Sequence, residues 1–189
     1  MAQLDLAGLQ LVAENLLILL GEDPNREGLR ETPRRIAHWY DEFINYDPGN
    51  TEVTFEAVTT DQLVVVTGIR VYSLCEHHML PFWADISMGY LAANRVLGLS
   101  KFARIAHKHA HRLQIQERLV SDIADEICAL AQTESVAVLA RGFHLCMAMR
   151  GVRTPATMTT SALRGMFRAD ADLRHEFLSL CQLNNEVRP

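Results

Sequence analysis

The spacing of apolar residues changes near residue 51, and this change restricts the possible folds more than any other feature of the sequence. Before residue 51, apolar side chains recur every three or four positions in two segments, which predicts two helices. The apolar positions are Leu9, Val12, Leu16, Leu19 and Leu20 in the first segment and Ile36, Trp39, Tyr40 and Phe43 in the second. After residue 51, strand-like segments alternate with helical ones, so the chain combines both kinds of element.

The two N-terminal helices have recognisable ends. Gly21 follows the last apolar residue of the first helix and is a suitable C-cap. Thr32 followed by Pro33 is typical of an N-cap and a first helical position, so the second helix is predicted to begin there. We therefore predict a helical region over residues 1–50 and a second region over residues 51–189.

The second region is predicted to form an antiparallel sheet with two long helices packed on one face. The strand-like segments are Val53–Phe55, Val64–Thr67, Ile86–Tyr90, Val136–Leu139, Phe143–Arg150 and Thr157–Ser161. The helical segments run from an N-cap at Ser100 to about Arg112, from Ile115 to Leu130, and onward from Asp170. This order of strands and helices is typical of the α+β class, which is the fold class that we predict.

Residues 143–150 alternate so regularly that they predict which side chains share a strand face. His144, Cys146 and Arg150 fall on one face, and the apolar residues between them fall on the other. A buried guanidinium without a partner costs on the order of several kcal/mol, so Arg150 beside a metal-type cysteine requires an anion. The anion could be a ligand or a carboxylate of the protein, and the sequence leaves both open.

A second pattern predicts a metal site. Cys75 and His78 are three positions apart, so one turn can present both to the same ion, and Cys146 can supply a third ligand. Three protein ligands leave one tetrahedral position of zinc open, which is typical of catalytic zinc. A closed structural site with His77 or His144 as fourth ligand is the alternative. If it is not a ligand, His77 lies where it could transfer protons near neutral pH.

The charge of the chain argues against one large class of function. Its formal net charge is -5, whereas proteins that bind nucleic acids in general need a broad basic surface. A small anion could still bind at Lys101 and Arg104, one turn apart at the start of a predicted helix, where backbone N–H groups favour phosphate. A solvated charged face is the alternative explanation of these two cations.

The N-terminal sequence predicts a cytoplasmic location. It has no basic segment followed by a long apolar one, and the apolar run Leu16–Leu20 is too short to span a bilayer. In such a chain the four cysteines are expected to be metal ligands or buried thiols rather than disulfides. Cys128 and Cys181 lie on apolar helical patterns and are predicted to be buried thiols.

Four motifs occur here in an order and spacing that resemble the GTP cyclohydrolase I family, and the resemblance covers nearly the whole chain. They are Cys75-Glu76-His77-His78, Gly98-Leu99-Ser100-Lys101, Gln114-Ile115-Gln116-Glu117-Arg118-Leu119 and His144-Leu145-Cys146. Similar segments are Gly21-Glu22-Asp23-Pro24, Arg26-Glu27-Gly28-Leu29, Thr32-Pro33-Arg34-Arg35 and Thr159-Thr160-Ser161 with Gly165 and Phe167. Any one motif would be weak, but all of them in register are highly specific.

The resemblance implies an activity and an assembly. The family opens the imidazole ring of GTP by hydrolysis, releases C8 as formate, and recloses the rearranged product as 7,8-dihydroneopterin triphosphate, the first step of tetrahydrofolate biosynthesis. No redox cofactor is needed. The tunnelling fold of the family would make residues 51–189 the catalytic domain, assembled into a toroidal homodecamer with sites between subunits.

The resemblance also implies a role for each matching residue. Cys75, His78 and Cys146 would hold one zinc ion per subunit, whose bound water attacks C8. His77 and His144 would move protons at the purine and the ribose. The residues implied for substrate binding are Glu117, helped by Gln116, for the guanine edge, Ser100 for the ribose or phosphates, and Lys101, Arg104, Arg150 and, from another subunit, Arg35 for the triphosphate.

The sequence departs from the family pattern at three places. His38 stands where lysine or arginine is common, Leu113 where some members have proline, and Ala84-Asp85 where Gly-Lys is frequent. None of these residues is a proposed metal ligand or catalytic histidine. Two other functions remain compatible with the sequence: a relative acting on another pterin or purine, and a zinc-stabilised oligomeric binding protein without turnover.

Overall fold

The N-terminal part of the chain is a pair of packed helices. The computed structural model describes residues 3–59 and 62–183, and the chain divides after Asp47 into two compact units. In the first unit, α1 (Leu6–Leu19) packs against α2 (Thr32–Ile44). Gly21 has a φ of +83°, which fits the predicted end of the first helix. The second helix starts one residue earlier than predicted, because Glu31 is its N-cap.

The second unit contains the sheet. Its elements are β1 (Thr54–Glu56), β2 (Leu63–Cys75), β3 (Pro81–Leu91), β4 (Arg95–Leu97), α3 (Leu99–Ala110), β5 (Leu113–Gln114), α4 (Gln116–Ala131), β6 (Val136–His144), α5 (Leu145–Ala148), β7 (Thr157–Leu163), α6 (Met166–Ala169) and α7 (Ala171–Leu183). The main sheet has the strand order β5-β2-β3-β6-β7, and only β2 and β5 are parallel. The strands β1 and β4 form a separate antiparallel pair. The α+β prediction is confirmed.

Helices cover the two faces of the sheet unequally. The long helices α3 and α4 pack on one face, as predicted, and enclose the main core; its members include Val71, Ile86, Val138, Phe102, Ile105 and Ile123. The C-terminal helix α7 packs on the other face, where Phe177 lies against Gly89. A Cβ at residue 89 would lie 2.7 Å from the Phe177 ring, so the glycine permits this close approach. Among the residues described, every helix is too short or too polar to cross a bilayer.

The prediction of one strand over residues 143–150 is wrong. The strand β6 ends at His144, and the next four residues form the short helix α5. The reason is the length of the neighbouring strands. In β3, Phe82 pairs with His144 and only Pro81 precedes it in the strand, and β7 begins opposite Phe143. Beyond His144 the backbone has no strand to pair with, so its hydrogen bonds close locally as a helical turn.

The start of α3 also differs from the prediction. Gly98 is the N-cap, and no side chain caps this end of the helix. Ser100 therefore lies inside the first turn of α3 rather than at its cap.

Candidate metal centre and substrate site

The predicted metal motif lies in a tight turn at the end of β2. Cys75 is the buried last residue of the strand, and its carbonyl accepts hydrogen bonds from the backbone N–H groups of His78 and Met79, at 3.3 and 2.7 Å. Met79 has a φ of +54°, in the left-handed region, and its conformation reverses the chain direction. The turn therefore presents the side chains of Cys75 and His78 on the same side.

Three metal-type side chains converge at this turn. The ligand atoms of Cys75, His78 and Cys146 all lie within 4.8 Å of one another. Tetrahedral zinc, with Zn–S bonds of about 2.3 Å and Zn–N bonds of about 2.05 Å, separates sulfur and nitrogen ligands by about 3.6 Å. The distance from Cys75 Sγ to His78 Nδ1 is 3.6 Å. The geometry therefore fits zinc.

The group holds three ligands rather than four. His77 Nδ1 lies 3.9 Å from Cys75 Sγ, yet over residues 3–59 and 62–183 neither His77 nor His144 joins the group. Burial raises the pKa of the Cys146 thiol, and the adjacent Cys75 raises it further. A divalent cation would reverse this effect, because it stabilises both thiolates. Because neither histidine joins the three ligands, the closed four-ligand site is not assembled in the described chain.

Arg150 reaches the metal group by a different geometry from the predicted one. Cys146 and Arg150 are four positions apart across the helical turn α5, and Arg150 Nε donates to the Cys146 carbonyl at 2.9 Å. One Arg150 guanidinium nitrogen lies 2.7 Å from His78 Nε2. The side chain of Arg150 is exposed, so the argument that a buried guanidinium requires an anion does not apply. Its proximity to the metal group does hold.

His144 lies at the end of β6 in a partly buried position. Its ring stacks on Phe82, with ring centres 4.5 Å apart and an interplanar angle of 9°. Burial lowers the pKa of His144, while the nearby charge of Glu117 opposes this shift. The Nε2 atom lies 2.9 Å from Gln116 Oε1. His144 is therefore a mainly neutral imidazole at neutral pH, with a fixed ring plane.

Glu117 lies in the first turn of α4 beside a small cavity. The cavity has a volume of about 300 Å³ and is lined by Glu117, Val120, Ser121, Thr160, Ser161, Ala162, Leu163, Arg164 and Arg168. This volume is at the lower end of the range for ligand pockets. No residue in the described part of the chain donates a hydrogen bond to the Glu117 carboxylate. The carboxylate is thus available to a ligand.

The predicted phosphate-binding residues gather at the start of α3. Lys101 is only 7% exposed, and its Nζ donates to the Asn50 carbonyl at 2.7 Å. The Arg104 guanidinium lies against Gly49, and Ser100 is exposed. The buried position of Lys101 differs from the solvated charged face that was the alternative prediction.

Within one chain, Lys101 lies at the opposite end of α3 from the metal group. The far end of α3 lies next to the end of β2, since Ser73 Oγ donates to the Ala110 carbonyl at 2.6 Å. Ala110 is nine positions after Lys101, a distance of about 14 Å along the helix axis. Lys101 is therefore far along α3 from the end of β2 that carries the metal turn.

Arg35 and the three departures from the family pattern fall on different elements of the fold. Arg35 and His38 are exposed residues of α2 in the first unit, and Leu113 is exposed in β5. Asp85 lies on β3 and accepts two hydrogen bonds from the Arg70 guanidinium, at 2.7 and 2.8 Å. Asp85 therefore balances a charge on the sheet.

One contact at the site was missed by the sequence analysis. Arg118 forms an ion pair with Glu76 of the metal turn, and its Nε donates to Gln114 Oε1 at 2.5 Å. Arg118 thus ties α4 to the segment that carries Cys75 and His78. The only signal in the sequence is that two of the motifs contain opposite charges next to the predicted functional residues.

Comparison with known proteins adds independent findings. The sequence model of the GTP cyclohydrolase I family matches residues 10–182. The chain is 47% identical over 173 residues to GTP cyclohydrolase 1 of Hyperthermus butylicus, a match that covers 92% of this chain and 89% of the relative. It is 45% identical over 179 residues to GTP cyclohydrolase 1 of Deinococcus radiodurans, covering 92% of this chain and 83% of the relative.

Proposed function

Because the chain belongs to the GTP cyclohydrolase I family, we propose that it hydrolyses GTP to 7,8-dihydroneopterin triphosphate and formate. The observation that carries the proposal is the convergence of Cys75, His78 and Cys146 into a three-ligand group beside two further histidines, His77 and His144. A zinc hydrolase needs an open coordination position for water or substrate, whereas a purely structural zinc site has four protein ligands.

The metal of this proposal is zinc, one ion per subunit. The donor set of two sulfurs and one nitrogen suits zinc in its softness and its geometry. Zinc, when bound, lowers the pKa of a coordinated water and so supplies the hydrolytic nucleophile. The protein contributes the fixed positions of Cys75, His78 and Cys146.

Two histidines are proposed to move protons, one at the purine and one at the ribose. His77 is exposed and belongs to the metal turn, so it can reach a substrate bound there. His144 is half-buried and has a lowered pKa, so it is mainly neutral at pH 7 and able to accept a proton.

Glu117 is proposed to read guanine. A carboxylate can accept two parallel N–H bonds from N1 and the exocyclic amine of guanine, in the fork geometry that also pairs carboxylates with arginine. The exposed carboxylate beside a cavity of about 300 Å³ supports this role. For Gln116, the buried side chain supports an indirect role instead.

The triphosphate is proposed to bind Arg150, Lys101, Arg104 and Ser100, together with Arg35 from another subunit. The separation of about 14 Å along α3 between Lys101 and Ala110 supports a site completed between subunits, because the metal turn lies near the Ala110 end of the helix. We therefore expect a homo-oligomer, the decamer of the family. The cytoplasm is its expected location. Residues 51–189 would be the catalytic domain; this range includes residues 60–61 and 184–189, which lie outside the described residues.

The activity is tested by incubating the zinc-loaded protein with GTP and measuring both formate and pterin fluorescence. We expect equal amounts of formate and pterin product. Binding of GTP without formate would instead favour the zinc-stabilised binding protein, and turnover of another purine or pterin in preference to GTP would favour a relative with a different substrate.

The metal assignment is tested by comparing zinc content and turnover in three variants. Cys146→Ala should lose zinc, whereas His77→Ala should keep zinc and lose turnover. Cys128→Ala is the matched control, since Cys128 is a half-buried thiol of α4 outside the metal group and should leave both quantities unchanged. Loss of zinc from the His77 variant would mean that a ligand has been misassigned.

The guanine contact is tested with Glu117→Gln and with inosine triphosphate, which lacks the exocyclic amine. Hydrogen bonds to a charged group are worth about 1.5–3 kcal/mol, so kcat/KM for GTP should fall about 10- to 150-fold. The preference for GTP over inosine triphosphate should fall with it. The control is Glu176→Gln, an exposed residue of α7. An unchanged preference in the Glu117 variant would exclude this contact.

A further inference from the structure

The side chain of Gln116 is buried, and its orientation is determined by its neighbours. It is 1% exposed in the first turn of α4. The amide nitrogen lies 3.3 Å from the Ala140 carbonyl, 3.0 Å from the Met158 carbonyl and 3.0 Å from Thr160 Oγ1. An NH₂ group can donate to two carbonyl oxygens, whereas an amide oxygen there would face both without a proton between them. The nitrogen therefore points toward these strands, and Oε1 points away from them.

The outward-facing oxygen determines which His144 nitrogen carries the proton. Gln116 Oε1 lies 2.9 Å from His144 Nε2, and an amide oxygen can only accept a hydrogen bond. Nε2 must therefore be the protonated nitrogen of the neutral ring. Because a neutral imidazole has one N–H, the lone pair lies on Nδ1. Stacking on Phe82 at 4.5 Å fixes the plane of the ring in addition.

The backbone of β6 leaves room for this amide at one glycine. A Cβ at residue 142 would lie 2.0 Å from Gln116 Oε1 and 2.9 Å from its Cδ. Any larger residue would displace the amide from His144. The Gln116 amide is thus enclosed by β6 and β7 on one side and by His144 on the other, which fixes its position.

We propose that Gln116 is a positioning residue: it holds His144 in the tautomer that presents Nδ1 to the substrate, and it does not read guanine directly. This inference rests on the proposed function, in which His144 moves a proton. In that step the Nδ1 lone pair takes a proton from a substrate O–H or N–H group, and the ring becomes a cation. The Nε2 proton stays bonded to Gln116 Oε1, which stabilises the cation, and return of the Nδ1 proton restores the starting tautomer.

The first test compares Gln116→Met with the wild-type protein. Methionine has a similar length but cannot accept the Nε2–H bond, so kcat should fall about tenfold or more while KM for GTP changes less than about threefold. A residue that reads guanine directly would show the opposite split, with KM raised and kcat kept. The control is Gln10→Met, the same substitution in α1, which should change neither constant.

The second test measures the tautomer without requiring turnover. Solid-state ¹⁵N NMR of histidine-labelled protein, with the His144 signal identified by its loss in His144→Phe, should show protonated Nε2 and unprotonated Nδ1 in the wild type. The signal should become mixed in Gln116→Met. A wild-type His144 protonated on Nδ1 overturns the inference even if the variant does not fold. Absence of GTP turnover in the wild type overturns the proposed function, while the NMR signal still decides the role of Gln116.

Discussion

Replacing Gly142 by alanine should push the Gln116 side chain away from His144. The new Cβ would lie 2.0 Å from Gln116 Oε1, 2.9 Å from its Cδ and 3.2 Å from the Trp83 carbonyl oxygen. Carbon and oxygen atoms that are not bonded need more than about 3 Å, so Oε1 must move on the order of 1 Å. A shift of that size breaks the 2.9 Å bond to His144 Nε2.

The expected cost of this substitution is about 2–4 kcal/mol of the free energy of unfolding. Overpacking a dense site costs about 1–3 kcal/mol, and each buried hydrogen bond of the amide that is lost costs about 0.5–1.5 kcal/mol more. Alanine is favoured over glycine in a strand by about 0.5–1 kcal/mol, which offsets part of the loss. Since domains are stable by about 5–15 kcal/mol in total, the variant should still fold.

The assay is urea unfolding at a fixed protein concentration, because assembly makes the midpoint depend on concentration. The control is Gly28→Ala, where the nearest atom to the new Cβ is the flexible end of the Arg26 side chain, at 3.2 Å. The control should unfold like the wild type, and Gly142→Ala should unfold at lower urea and have a reduced kcat. If Gly142→Ala keeps wild-type stability and kcat, the Gln116 amide does not occupy the position described.

Two further predictions concern the helix α4. Arg118→Met should weaken zinc binding about tenfold in a chelator competition assay, because loss of the ion pair with Glu76 loosens the metal turn; additive effects of Arg118→Met and Glu76→Gln would refute this coupling. For Glu126, burial raises the pKa, but hydrogen bonds from His109 and Lys108 outweigh it and the net pKa is lowered. Because the pKa is lower in the folded state, the Glu126 carboxylate stabilises the protein at pH values above its unfolded-state pKa. Glu126→Gln should therefore reduce the free energy of unfolding by about 1–3 kcal/mol near pH 7, and this difference from the wild type should vanish in acid as the pH falls through the folded-state pKa. A difference in stability that persists in acid would contradict this assignment.

The sequence predicted the elements whose signals are local. Helical spacing identified α3 and α4 within a few residues, and the threonine-rich segment at 157 became β7. The spacing of Cys75 and His78 also depends only on one turn, which is why these two metal ligands could be anticipated. The third, Cys146, was predicted from its residue type rather than from its spacing. Local sequence patterns are sufficient to predict an element when the residues that determine it are close together in the sequence.

Two features that depend on distant residues could not be predicted. The apolar alternation after Phe143 resembles a strand, yet the strand ends at His144 because its neighbours end there. The orientation of Gln116 depends in the same way on carbonyl groups of β6 and β7, which lie 24 and 42 positions later in the chain. The sequence around Gln116 gives no indication of these carbonyl partners.

The first turn of α4 connects three parts of the site through consecutive residues. Successive helical side chains point about 100° apart, so Gln116 reaches His144, Glu117 borders the cavity, and Arg118 holds Glu76. A substitution at one of these positions alters the contacts of that side chain alone. Insertion or deletion of a single residue at the start of the helix would rotate all three side chains at once, so we expect this turn to tolerate changes of residue far better than changes of length.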